Sequence, residues 1–111
     1  MTNNTGKIMN ILGLARRAGA LFVGQDHVFA EIKKSLPLLV IVTNDCSKNV
    51  LRSIDAGVER GEVTKITLDE IDRTALGAQL GIRGAQVTAL IRQSGFAKNI
   101  LLLNDRSDAD E

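Results

Sequence analysis

The run Leu38-Leu39-Val40-Ile41-Val42-Thr43 limits most sharply what this chain can fold into. Its β-branched and leucine side chains leave neither face of a strand polar. Side chains alternate between the two faces of a sheet, so such a strand must be covered on both. Pro37 separates the run from anything helical before it. Asn44-Asp45-Cys46-Ser47 closes it with polar residues.

The flanking sequence supplies the covering helices. Ile8, Ile11, Leu12, Leu14 and Ala15 form an apolar stripe at helical spacing, predicting a helix from about Gly6 to Ala18. Gly19 stops it, with Arg16 and Arg17 in the last turn. Leu21-Phe22-Val23 reads as a short strand ending at Gly24. A second helix is expected from Gln25 to Ser35, and a third from Lys48 to Arg60 behind an N-cap at Ser47. Val63 to Leu68 alternates as an edge strand does. A fourth helix is expected from Asp72, with Thr67 as a rival cap, to Leu80. Gln86 to Ile91 forms the last strand, and Gly95 or Phe96 to Leu103 the last helix. This alternation predicts a mixed sheet sandwiched between helices.

With 111 residues the chain has room for one domain, placed at 1–104, followed by an acidic tail at 105–111 expected to be disordered. The tail carries a net −3, so the overall +1 leaves the body at +4. A mildly basic body permits contact with a phosphate backbone. Aromatic residues make up only 3%, which argues against modules that stack bases on exposed rings. Recognition of nucleic acid would instead use shape, backbone contacts and helix ends. No apolar run is long enough to span a bilayer, and the first residues show no secretory pattern. The single cysteine, Cys46, suits a reducing compartment and reads as a packing residue. A cytoplasmic protein without membrane contact is expected.

Catalysis finds little support. His27 and Cys46 have no partners at metal-ligand spacing, and no serine lies in a nucleophile elbow. No enzyme activity, metal or cofactor is expected. Gly13 to Gly19 lacks the Lys-Ser/Thr of a phosphate-binding loop. Gly13 reads instead as a close-packing residue, Gly19 and Gly81 as helix stops, and Gly84 as a turn.

Gly24-Gln25-Asp26-His27 is more informative. A strand ends in glycine and a helix begins at once with polar side chains. The free N–H groups of such a helix start can receive a phosphate or the edge of a non-canonical base pair. The competing account is a tight turn at Gly24 and a helix cap at Asp26. Basic residues that could support an RNA site are Arg16, Arg17, Lys33, Lys34, Lys48 and Arg83.

Ile11-Leu12-Gly13-Leu14-Ala15-Arg16-Arg17-Ala18-Gly19 resembles the first-helix motif of small bacterial YlxQ-like proteins. These are relatives of the archaeal large-subunit ribosomal protein that binds kink-turns. Val23-Gly24 leading into a helix, Leu39 to Asp45, Leu76 to Gly81 and Gly95 to Ile100 match the same family in order and spacing, so the resemblance covers roughly Ile8 to Leu103. It implies a three-layer α/β/α sandwich with a mixed four-stranded sheet. It also implies an RNA partner of kink-turn type, in ribosomal RNA or an mRNA leader, with possible ribosome association. The regions it implicates are Gly24 to His27 and Ile82 to Gln86, with Ile82, Arg83, Gly84 and Ala85 as site residues, where Ile82 and Ala85 would touch a flipped base. Asn44 and Asp45, next to the central strand, join the candidate site.

The archaeal members carry Gly-x-Asn-Glu-x-x-Lys at the helix start. Here Asp26 stands for Asn, His27 for Glu and Ala30 for Lys, and Ala20 stands where many bacterial relatives carry Lys. These departures leave a second reading, a protein-interaction module on the same fold with a decayed RNA site. On the RNA reading a monomer is expected, and Gln25 and Arg83 matter more than Arg73.

Overall fold

The computed structural model describes residues 3–109. Its elements are α1 (Asn3–Arg17), β1 (Phe22–Val23), α2 (Gln25–Ile32), β2 (Leu38–Thr43), α3 (Lys48–Glu59), β3 (Val63–Leu68), α4 (Arg73–Leu80), β4 (Val87–Ile91) and α5 (Gly95–Ala109). All six residues of β2 are buried. The strand lies inside a four-stranded sheet of order β1-β4-β2-β3. Its alternating side chains feed two separate cores. Leu39 and Ile41 pack with Leu12, Leu76, Leu90 and Ile100, which places α1, α4 and α5 on one face. Leu38, Val40 and Val42 pack with Val28, Ile54 and Val87, which places α2 and α3 on the other. The result is the expected three-layer α/β/α sandwich around a mixed sheet. Each fully buried Leu, Ile or Val contributes on the order of 1.5–3 kcal/mol.

Strand direction decides where function can sit. β4 runs antiparallel to both β1 and β2, and β3 runs parallel to β2. β1, β2 and β3 therefore point the same way. Each is followed by a helix, so α2, α3 and α4 all begin at one edge of the sheet. In open α/β sheets, crevices beyond the carboxyl ends of strands are where ligands bind.

Several boundaries differ from expectation. α1 begins at Asn3 rather than Gly6, and the Asn4 side-chain amide donates to the Leu103 carbonyl at 2.8 Å, tying α1 to α5. β1 omits Leu21, which is buried in the core instead. α2 ends at Ile32 rather than Ser35. Leu36 precedes Pro37 and is driven out of the helical region. The chain therefore leaves through a tight turn, with Ser35 at φ 63°. β4 starts at Val87 rather than Gln86, although the Gln86 carbonyl still accepts from the Thr43 amide of β2. α5 continues to Ala109 rather than ending at Leu103. No Gly or Pro interrupts the chain between Gly95 and Ala109, so nothing local stops the helix. Residues 105–109, expected to be part of a disordered tail, are helical. The last two residues of that tail lie outside the described residues.

Candidate nucleic-acid interface

The three helices that begin at the common edge are finished differently. At α3, Ser47 Oγ accepts from the Val50 amide at 3.4 Å. At α4, Asp72 Oδ1 accepts from the Ala75 amide at 2.8 Å. Both caps were expected, and Thr67 lies within β3 instead. α2 begins behind Gly24, and no side chain caps it. Gly24 holds φ 90° and ψ 156°, a conformation open in practice to glycine alone. Its amide donates to the Val87 carbonyl at 3.0 Å, which aligns the start of α2 with the start of β4. The turn expected at Gly24 is present. The cap expected at Asp26 as the competing account is not.

The loop between α4 and β4 is pinned beside this helix start. Gly77 of α4 lies so close to Gly84 that an added Cβ would sit 2.5 Å from the Gly84 Cα. This close approach requires glycine at 77; Gly84, read from the sequence as a turn, has no left-handed φ, and an added Cβ there would meet only the Arg73 carbonyl at 3.8 Å. The Ala85 amide donates to the Arg73 carbonyl at 3.0 Å. The Gln86 carbonyl accepts from the Thr43 amide at 3.0 Å, and Gln86 Oε1 accepts from the Ser47 amide at 2.9 Å. Every one of these bonds ties the loop to another element at the same edge.

Between the loop and α2 lies an open cleft of about 590 Å³. Gly24, Gln25, Arg73, Arg83, Gly84 and Gln86 line most of it, with Thr74 and Ala85 completing the wall. No carboxylate appears among the lining residues. Gly24, Gln25, Arg83, Gly84 and Ala85, all expected at the site, thus come together. Asp26 and His27 follow in the exposed first turn of α2, and the His27 ring stands edge-on to Phe22 with centroids 5.1 Å apart. Lys48, exposed at the start of α3, lies at the same edge.

Other expected residues fall elsewhere. Lys33 and Lys34 lie at the far end of α2, roughly 12 Å from its start at 1.5 Å per residue. Lys34 pairs there with Glu31 at 2.9 Å. Arg16 and Arg17 line a separate cleft. Ala85 is 6% exposed and Ile82 packs against the core, so the apolar surface expected to meet a flipped base is largely spent internally. Asn44 and Asp45 act as ties: the Asn44 amide nitrogens, backbone and side-chain, donate to the Ile71 and Asp69 carbonyls.

Arg73, placed outside the site by the sequence reading, is instead part of its wall. Asp45 Oδ1 accepts from its amide at 3.0 Å and Oδ2 from its Nε at 3.2 Å. Arg73 Nη2 donates to the Asp45 carbonyl at 2.7 Å. The Thr43 hydroxyl, reinforced by Arg73, holds the Asp45 carboxyl below its ordinary value. The pairing fixes the guanidinium and leaves it partly compensated. Gln86 falls in the implicated Ile82–Gln86 region, whereas Arg73 was missed because it belongs to no motif. The available signal was positional: Arg73 directly follows a helix cap at the end of a parallel strand.

Cys46 is a buried packing residue, as expected, and burial pushes its thiol up. Among the described residues, no three His, Cys, Asp or Glu side chains gather as metal ligands would. No described helix is long and apolar enough to cross a membrane.

Known proteins agree with this architecture. A protein of Giardia lamblia described as a 15.5 kD RNA-binding protein superposes with a TM-score of 0.76 at 13% identity, over 98% of this chain and 91% of that one. A Bacillus halodurans protein of unknown function gives 0.78 at 23% identity, over 89% and 97%. In sequence, the RNA-binding protein YlxQ of Bacillus subtilis is 30% identical over 96 residues, spanning 86% of this chain and 92% of that protein. The protein of the same name from Enterococcus faecium is 39% identical over 95 residues, spanning 86% and 88%. Residues 6–102 match the family described as ribosomal protein L7Ae/L30e/S12e/Gadd45. With that match over most of its length, this chain belongs to the L7Ae/L30e/S12e/Gadd45 ribosomal-protein family as a YlxQ-like member.

Proposed function

We propose that this chain is an RNA-binding protein, not an enzyme, that takes structured RNA of kink-turn type in the cleft between α2 and the α4–β4 loop. One observation carries the reading. The only one of the three co-located helix starts without a side-chain cap opens beside a cleft lined by Arg73 and Arg83 and by no carboxylate. Free N–H groups at a helix start and guanidinium groups both favour phosphate oxygens. Gln25 supplies a donor and an acceptor for a base edge. The relatives' names, as RNA-binding proteins, support the same class of partner. The cleft is complete within one chain, so a monomer suffices. The natural setting on this reading is a ribosomal or RNA-processing particle in the cytoplasm.

The test is a titration of a kink-turn RNA against a control whose tandem G·A pairs are replaced by Watson–Crick pairs. The kink-turn is expected to bind more tightly, with affinity falling as salt rises. Gln25→Ala and Arg83→Ala should each weaken binding by about tenfold, the scale of one charged or buried hydrogen bond. Lys33→Ala, at the far end of α2, should leave it unchanged. Arg73 lines the cleft, so Arg73→Ala should weaken binding as well. Equal affinity for the two RNAs would remove the kink-turn reading. No RNA binding at low salt would leave the protein-interaction reading prompted by Asp26, His27 and Ala30.

A further inference from the structure

A second cleft, of about 500 Å³, adjoins the first. Arg16 and Arg17, at the C-terminal end of α1, line it with Gly13, Leu21, Gln79 and Gly81. Two chain segments run from one cleft into the other. From Leu21 in the second to Gly24 in the first is three residues, roughly 10 Å of extended chain. From Gly81 to Arg83 is two residues, at most about 7 Å. The clefts are thus neighbours across β1 and the start of the α4–β4 loop, and neither lining includes a carboxylate.

Both arginines are exposed, and neither forms an ion pair among the described residues. Two helix C-termini meet at this cleft, and free carbonyls there would repel an anion. They are largely engaged. The Leu14, Ala15 and Arg16 carbonyls accept from the Ala18, Ala20 and Gly19 amides. The Gly77 and Ala78 carbonyls accept from the Ile82 and Gly81 amides. Arg16 and Arg17 therefore share the cleft with helix-end carbonyls that are mostly engaged, which suits a ligand bringing its own negative charge.

We propose that Arg16 and Arg17 hold backbone phosphates of the RNA strand that leaves the first cleft across β1, so that one footprint spans both clefts. This rests on the first cleft being an RNA site. A span of about 10 Å corresponds to about three to four nucleotides of a stacked strand. The contact therefore needs an RNA arm at least that long beyond the kink.

The test compares the double variant Arg16→Ala/Arg17→Ala with wild type on two RNAs. One is a kink-turn with both helical arms extended, and the other has its arms cut back to the closing pairs. On the long RNA the variant is expected to lose roughly 2- to 30-fold in affinity, the scale of two exposed ion pairs. Its slope of log affinity against log salt should flatten by about 1.4–1.8, for two phosphates released. On the short RNA it should match wild type. Arg16→Lys/Arg17→Lys, which keeps the charge, should keep most of the slope. Wild-type affinity and slope on the long RNA for the alanine variant would overturn the proposal. So would an equal loss on both RNAs, which would mean the arginines act through the fold. Absence of wild-type binding to either RNA would overturn this proposal and the first-cleft reading together.

Discussion

α2 and α4 begin at the same sheet edge, face the same cleft and are built in opposite ways. α4 starts behind Asp72, whose carboxylate occupies the Ala75 amide, and its first residue is clamped by Asp45. α2 starts behind a glycine with no side chain to offer. A capped start has part of its donor set spent on the fold. An uncapped start keeps its donors available, and its positive end carries the same partial charge. The two helices thus divide the labour: α4 fixes the wall of the cleft, and α2 presents the open groups.

Gly24→Ala attacks the open start directly. No atom lies within 4 Å of the added Cβ, so its penalty is backbone strain alone. About 1–3 kcal/mol of stability should be lost in urea unfolding, together with RNA affinity, as α2 swings away from Val87. Gly77→Ala attacks the wall. The new methyl would collide with the Gly84 backbone, which has no flexible side chain to give way. A loss of about 1–3 kcal/mol is expected. RNA affinity should fall as well, because Arg83 rides on the displaced loop.

The capped starts should answer differently. Asp72→Ala and Ser47→Ala should each cost about 1 kcal/mol of stability. Neither should change RNA affinity at a temperature where the variant is folded. A large affinity loss in either would erase the distinction between capped and open starts.

The smallest effect concerns pH. The Asp45 carboxyl is held below its ordinary value of 3.8, so its contribution is fully present above that pH. It is lost as pH falls below 3.8 through the lower folded value. Asp45→Asn should therefore be less stable than wild type at neutral pH. The gap should narrow on acidification below pH 3.8, followed by thermal unfolding.

The sequence made the layers legible because β2 is apolar on both faces, and that pattern has one physical solution. It made the helix starts legible where a cap residue directly precedes a helical stretch, as Ser47 does and as Asp72 does against its rival Thr67. It also located the open start at Gly24, since a glycine directly between a strand and a helix is a local signal. The walls of the cleft were less visible. Arg73 reaches the site because β3 runs parallel to β2, a fact of strand pairing that no local pattern near residue 73 encodes. Lys33 and Lys34 look close to Gln25 in sequence, yet the length of α2 carries them to the opposite edge. The end of α5 went unread because the acidic composition of residues 105–111 suggested disorder, while no helix-breaking residue actually stops it before Ala109.

The most direct measurement follows individual backbone amides by heteronuclear NMR while a kink-turn RNA is added. Large, saturable shifts are expected for the Gln25, Asp26 and His27 amides, with the amides of Val50 and Ala75, already bonded to their caps, changing little. RNA binding that moves Val50 and Ala75 while leaving Gln25 to His27 undisturbed would contradict RNA binding at the open start of α2.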